Sequence, residues 1–340
     1  MSSDNPQTNR PPEAIIFQML DGFKITQAIH AASRLAIFDA LAEKTLTASE
    51  LAASVGAHAP SLLRLLRFLT TIDILAEDDR QRFAATAMGQ YLRSDHPLSM
   101  RPWADMFGSP TFWRSWGDLY ETILTGQPAF DRNYGQGHFD FLSRHPDEAA
   151  VFNAAMTRGT ARSLPAILEA YDFTPYQKIV DVAGGHGALL RGILERAPRA
   201  AGVLYEMPAV AAEARALRGS PVEARCEFVV GSMFESIPAG GDLYVMKQII
   251  HDWDDDAAIR ILRNTRQAMG PEGRLLVVDR IVLPPNQPDP AKSTDLMMLV
   301  MLTGRERTEA EFSALYQAAG FRLTRVIPAG EFSLVEGVPI

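Results

Sequence analysis

Cysteine is nearly absent from this chain, long apolar runs are missing, and cationic residues are outnumbered by anionic ones. With one cysteine, Cys226, no intramolecular disulfide and no thiolate metal cluster can form. Its neighbours Phe228-Val229-Val230 place that thiol on a buried strand, as a packing group. No stretch approaches the ~18 consecutive apolar residues of a membrane helix. Met1 to Pro12 is polar and has no apolar core, so residues 1–12 read as a disordered leader rather than a signal peptide. Lys and Arg number 33 against 41 Asp and Glu, a formal net charge of -8. That balance argues against a nucleic-acid surface and against anchorage on anionic lipid. Together these absences imply a cytoplasmic protein. Hydrophobic residues make up 47% of 340 residues and charged residues 22%, enough for a sizeable core and about two domains.

Residues 13–107 have a helical rhythm, with apolar side chains three and four apart in Ile15, Ile16, Met19, Leu20, Phe23 and Ile29. Thr47 and Glu50 fit a capping box that starts a helix, and Gly56 ends it. A second helix follows over Pro60–Leu69. Ile72 to Phe83, with Asp78-Asp79 at its centre, reads as a short hairpin. Helix, turn, helix, hairpin is a winged-helix pattern. The apolar periodicity exceeds what one small domain needs to cover, which points to a homodimer. Residues 108–170 are again helical and rich in aromatics, and form a connector.

From 171 to 340 the rhythm changes. Strand-like runs at Lys178–Ala183, Gly202–Met207, Glu227–Met233, Leu243–Ile250 and Arg274–Val282 alternate with helical stretches near Ala188–Ala197, Ala209–Leu217 and Asp255–Met269. Alternation of this kind implies a parallel sheet covered on both faces. Phe321–Ile327 and Phe332–Val338 are joined only by Pro328 to Glu331. That is too short for a crossover, so they form an antiparallel hairpin.

Ile179 to Gly187 runs from a strand into a glycine-rich turn, where a backbone can approach a ligand closely. A dinucleotide fingerprint needs a third glycine, and position 190 is Leu190. Asp181 before the turn is awkward beside a pyrophosphate but suits a cationic cofactor such as S-adenosylmethionine. Glu206 ends the next strand, where an acid can take ribose hydroxyls. Gly184, Gly185, Gly187, Asp181 and Glu206 therefore form a candidate adenosine-cofactor site.

Met246 to Trp253 ends the fourth strand, on the carboxyl edge where ligands bind in such sheets. His251 is the general-base candidate. A phenol with a pKa of about 10 is protonated at neutral pH, and an imidazole near 6.5 suits its deprotonation. Asp279 closes the next strand and Glu306 lies in the turn Gly304-Arg305-Glu306-Arg307-Thr308, so both can converge on His251 and orient it. Asp252, Asp254 and Asp256 mimic the first positions of a calcium loop. Ala257 and Arg263 break that template, which leaves a helix N-cap run and no metal site.

Asp181–Leu190, Glu206-Met207-Pro208, Gly231-Ser232-Met233-Phe234, Lys247 with His251-Asp252-Trp253, and Gly304–Thr308 resemble, in order, the small-molecule S-adenosylmethionine-dependent O-methyltransferases of the caffeate and bacterial aromatic polyketide types. The resemblance covers nearly the whole chain. It implies an α/β Rossmann-like methyltransferase sheet with an antiparallel C-terminal hairpin, preceded by a winged-helix dimerisation domain. It also implies a metal-independent homodimer that methylates a hydroxyl of a small aromatic molecule. By the same resemblance Met207, Ser232, Met233 and Lys247 join the cofactor site, with Ser232 where an aspartate is usual and Ala183 where a glycine is usual. His251, Asp279 and Glu306 are the implied catalytic set. Met106, Phe152, Met156, Met297 and Met298 are the implied substrate-pocket residues. Three rivals are a family member with altered chemistry, a ligand-sensing winged-helix regulator and a nicotinamide dehydrogenase. The intact His251 set, a would-be recognition helix with only Arg64 and Arg67 among its leucines, and Leu190 respectively argue against them.

Overall fold

The computed structural model describes residues 11–340, and the chain divides into two compact units, Met1–Trp113 and Arg114–Ile340. The leader expected over residues 1–12 lies outside the described residues up to residue 10, and Pro12 already opens a helix, Pro12–Leu20. Among the described residues no helix is long and apolar enough to cross a membrane.

In the first unit the capping box forms as expected. The Thr47 hydroxyl accepts from the Glu50 N–H at 3.3 Å, and the Glu50 carboxylate accepts from the Thr47 N–H at 2.7 Å. The helix so started, Ala48–Val55, stops where Gly56 turns left-handed at φ 69°. Ala59–Thr71 follows and buries Leu62, Leu66 and Leu69. The hairpin is strands β2 (Leu75–Glu77) and β3 (Arg82–Ala85); a strand not expected from the sequence, β1 (Leu46–Thr47), pairs with β3 to give the order β1-β3-β2. Phe38, Leu51, Leu66 and Phe83 are among the residues that close the core of this unit. The first helix buries none of its own residues, and Ile16, Phe17, Met19 and Leu20 stand exposed.

The second unit holds a seven-stranded sheet. Five parallel strands, β4 (Lys178–Val182), β5 (Ala201–Glu206), β6 (Cys226–Val230), β7 (Leu243–Lys247) and β8 (Arg274–Asp279), are followed by the antiparallel β9 (Phe321–Ala329) and β10 (Phe332–Pro339). The order is β6-β5-β4-β7-β8-β10-β9, so the direction of winding reverses between β4 and β7. That reversal opens a crevice at the carboxyl ends of these two strands. Separate apolar layers cover the two faces. One gathers around Leu190, Ile193 and Leu204, the other around Ile261, Leu262, Phe312 and Tyr316.

The differences from the sequence reading fall at element ends. The ladders stop at Val182, Val230, Lys247 and Asp279, short of the expected ends, because the chain turns out of the sheet there although apolar residues continue. The helix expected to reach Leu217 spans only Pro208–Ala212. Cys226 is half-buried rather than buried, since β6 is the edge of the sheet. The C-terminal hairpin is tighter than expected: Phe332 pairs with Ala329, leaving Gly330 at φ 68° and Glu331 to make the turn, and Pro328 lies inside the edge strand β9.

Loss of the first capping box should be measurable. Thr47→Ala is expected to lower the unfolding free energy by about 1 kcal/mol, read as an earlier midpoint in urea denaturation; an unchanged midpoint would contradict the capping geometry.

Candidate active site

The glycine turn leaves β4 at the crevice. A Cβ on Gly184 would stand 2.4 Å from the Asp181 carboxylate, and one on Gly187 2.3 Å from Leu217, so both positions exclude a side chain. Gly185, at φ 59°, faces open space and leaves its backbone approachable. Ala183 takes φ 54°, the left-handed region that favours glycine. Asp181 is buried, and its Oδ2 has no hydrogen-bond partner among the described residues. Burial, then the neighbouring Glu206 charge, pushes its carboxyl up to about 7. Glu206, at the end of β5, accepts from the Gly185 N–H at 3.1 Å and from the Met207 N–H. An orphaned buried carboxylate oxygen beside an open glycine backbone fits a ligand that brings a positive group and hydroxyls.

The remaining cofactor candidates are placed unevenly. Met207 is exposed. The Ser232 hydroxyl accepts locally from the Phe234 N–H at 3.4 Å, and the Met233 carbonyl accepts from Asn264 at 2.9 Å. Lys247 ends β7, donates to the Gln248 side chain and lies over the Phe332 ring at 4.7 Å. Burial of its ammonium lowers it to about 8.

After β7 a short turn, Ile250–Asp252, carries His251 inward. His251 is 4% exposed, Glu306 4% and Asp279 0%. His251 Nδ1 lies 2.8 Å from Glu306 Oε1; with Glu306 as a carboxylate, Nδ1 carries the proton and donates. Nε2 faces Asp252 Oδ1 at 3.4 Å. Asp279 acts on the imidazole through its charge, but neither of its oxygens makes a hydrogen bond among the described residues. The sequence reading brought both Asp279 and Glu306 onto the ring. The structure gives the bond to Glu306, and it adds Asp252, which the sequence analysis absorbed into an N-cap run. The cap itself is the next acid along the chain: Asp254 accepts from the Ala257 N–H at 2.9 Å.

Burial alone would push His251 down. The charges of Asp252 and Asp279, with the Glu306 bond, override it and hold the imidazole up at about 9, above the 6.5 of a free histidine. The same crowding works on the acids: burial raises Asp252 to about 7, and burial followed by the Glu306 charge raises Asp279 to about 7.

Of the expected pocket residues, Phe152 and Met156 are half-buried on the helix Pro146–Ala170. Met297 is half-buried and Met298 buried on the helix Pro290–Met301. Met106 belongs to the first unit, buried on the helix Arg101–Phe107. Phe152 meets the rings of His138 at 5.3 Å and Phe139 at 6.1 Å, and Phe139 meets Trp253 at 5.5 Å. A chain of aromatic rings thus runs from Phe152 to the residue two positions beyond His251. Phe139 was not singled out in the sequence, and Trp253 appeared there only as part of the His251-Asp252-Trp253 motif, because the spacing of these rings is set by the fold.

An O-methyltransferase domain family matches residues 116–322, and an O-methyltransferase dimerisation domain matches residues 17–95. The chain belongs to the O-methyltransferase family. It is an S-adenosylmethionine-dependent methyltransferase by that membership. A phenazine O-methyltransferase of Lysobacter antibioticus is 40% identical, with both chains covered in full. The crystal structure of a protein named LaPhzM superposes with a TM-score of 0.95 at 40% identity, covering 97% of this chain and 100% of that one. A neocarzinostatin-biosynthesis O-methyltransferase solved with S-adenosylmethionine and 2-hydroxy-5-methyl naphthoic acid superposes with a TM-score of 0.82 at 32% identity, covering 93% of this chain and 96% of that one.

The His251 charge gives a direct test. An imidazole raised from 6.5 to about 9 stays protonated at neutral pH and releases its proton only as pH rises through about 9. An NMR titration of His251 should place its midpoint near 9, and Glu306→Gln should move that midpoint down. A wild-type midpoint at or below 6.5 would contradict the carboxylate cluster.

Proposed function

We propose that this methyltransferase transfers a methyl group to a hydroxyl of a small aromatic metabolite, with His251 as the general base, and without a divalent metal. The observation that carries the proposal is the buried His251–Glu306 pair, with His251 on the turn just after β7, the strand beside the one that leads into the glycine turn. Asp181, Glu206, the Gly185 backbone and Lys247 would hold S-adenosylmethionine, with Ser232 and Met233 farther along the same edge. When bound, the cofactor supplies an electrophilic methyl on a positively charged sulfur.

The chain's own residues supply the rest. Phe152, Met156, Met297 and Met298 offer flat and adaptable apolar surface for an aromatic ring. Glu306 fixes the imidazole through Nδ1, which leaves Nε2 to take the hydroxyl proton. An imidazole near 9 and a phenol near 10 are matched to about one pKa unit, so the transfer is close to balanced. The cost is occupancy, since a base of that strength is mostly protonated at pH 7. Turnover should therefore climb with pH. Asp279 and Asp252 stabilise the imidazolium once the proton has moved. Alignment of hydroxyl and methyl accounts for a further large part of the rate, since held reactants gain about 7–11 kcal/mol.

His251→Ala is expected to lose about 10²–10⁴ in turnover while cofactor affinity, read by calorimetry, stays at the wild-type value. Mass spectrometry of products from a phenolic library with labelled methyl donor supplies the assay. Wild-type turnover in His251→Ala would refute the base.

We also infer that the chain pairs with a second copy through its dimerisation domain in a cytoplasmic homodimer. Exposed Ile16, Phe17, Met19 and Leu20 on one short helix are the support for this reading. Light scattering of Phe17→Asp/Leu20→Asp is expected to give a monomer where the wild type gives a dimer. A dimer that survives both charges would move the interface elsewhere.

A further inference from the structure

The mechanism above uses Glu306 and His251 but leaves the residue between their two segments unemployed. Arg307 has a side chain with no solvent exposure. A guanidinium is always charged, and burying it is costly unless its donors are met. Here they are met by one segment in particular. Nη1 donates to the Ile250 carbonyl at 3.0 Å, and Nη2 donates to the Trp253 carbonyl at 2.9 Å. Nη2 and Nε also donate to Asp255 Oδ1 at 2.8 and 3.1 Å, and Nη1 reaches the Arg305 carbonyl at 3.3 Å. Ile250 and Trp253 bracket His251 and Asp252. The one guanidinium therefore grips both ends of the turn that carries the base, while its own backbone neighbour is Glu306.

Two further contacts tie the same segments. A Cβ on Gly304 would stand 2.0 Å from the His251 carbonyl oxygen and 2.3 Å from the Asp252 carbonyl carbon, so the two backbones touch where only glycine fits. Arg305 donates to the other oxygen of Asp255 at 2.8 Å. On the far side, the Glu306 N–H donates to Asp295 at 2.9 Å.

We propose that Arg307, held by Asp255, is a positioning residue that sets the distance and angle between His251 and Glu306, and through them the strength of the base. Resting on the general-base reading above, this assigns Arg307 no contact with substrate or cofactor. Its effect passes through the 2.8 Å bond. A loosened clamp weakens the carboxylate's hold on the imidazolium, so the base becomes weaker and less well aimed.

The test compares Asp255→Asn, Arg307→Lys and Arg307→Met with wild type and His251→Ala. Asp255 is exposed and its amide keeps an acceptor oxygen for the guanidinium, so Asp255→Asn disturbs the core less than the Arg307 variants do, and urea denaturation of each variant gives its folded fraction. Turnover is measured against pH with both substrates saturating, per mole of folded protein, alongside the NMR titration of His251. The expected result for Asp255→Asn is a turnover at the alkaline plateau reduced between about ten- and a hundredfold, the range that sub-ångström to ångström misplacement produces. The His251 midpoint and the acidic limb of the profile should move together to lower pH, with the cofactor KM unchanged. Arg307→Lys keeps the charge but not the fork, and should fall between wild type and Arg307→Met. A fall in activity that only tracks the folded fraction, with limb and midpoint in place, overturns the clamp. If His251→Ala is inactive and Asp255→Asn has the wild-type profile, the clamp fails and the base stands. If His251→Ala turns over normally, the base fails and the clamp has nothing to position.

Discussion

An imidazole and a carboxylate 2.8 Å apart, both shut away from water, are the interaction on which the second unit is organised. Neither group is tolerable alone at that depth. An ion there needs an opposite charge and a full set of hydrogen bonds. His251 has Glu306 on one nitrogen and Asp252 near the other, and Glu306 is held through its own backbone by Asp295. The loops on either side are shaped to bring these groups together. The turn after β7 and the turn before the helix Glu309–Ala318 come from chain segments about fifty residues apart, and Gly304 lets them touch.

The electrostatics of the site are lopsided. Three carboxylates face one imidazole, with Lys247 nearby, and burial raises Asp252 and Asp279 while it lowers Lys247. Such a cluster holds protons near neutrality and favours any positive group that arrives. The orphaned Oδ2 of Asp181 extends the same negative field to the glycine turn. A positive group beside these carboxyls lowers them again, so the field on this edge of the sheet favours a cation.

How much of this was legible in the sequence depends on range. Local signals were read well: the Thr47–Glu50 box, the Gly56 stop, the alternation of five strands with helices, the short C-terminal hairpin and the Asp254 cap all rest on residues within a few positions of each other. The signature Thr308-x-x-Glu311, which caps the helix Glu309–Ala318 in the same way, was equally visible but was passed over inside a turn motif. Strand ends were misjudged because hydrophobicity persists past the ladder: Ile249, Ile250 and Ile281 are apolar yet lie outside it. Within the site, His251 and Glu306 were named from position and motif. What the sequence could not supply was which acid bonds which nitrogen. Asp252 looked like one more member of an acidic run, and Arg307 was quoted in the Gly304–Thr308 motif with no role of its own. Only the folded backbone shows that Arg307 is buried, and why.

Pro328 has a consequence beyond the hairpin it lies in. It sits in β9, an edge strand of the sheet, whose outer side faces no further strand among the described residues. A proline has no N–H to offer a newcomer, so the ladder cannot be extended in register past that point. The open margin of the sheet is thereby guarded against adding strands from other molecules. Strand addition along β9, a route to fibrous growth, is interrupted at one imino acid.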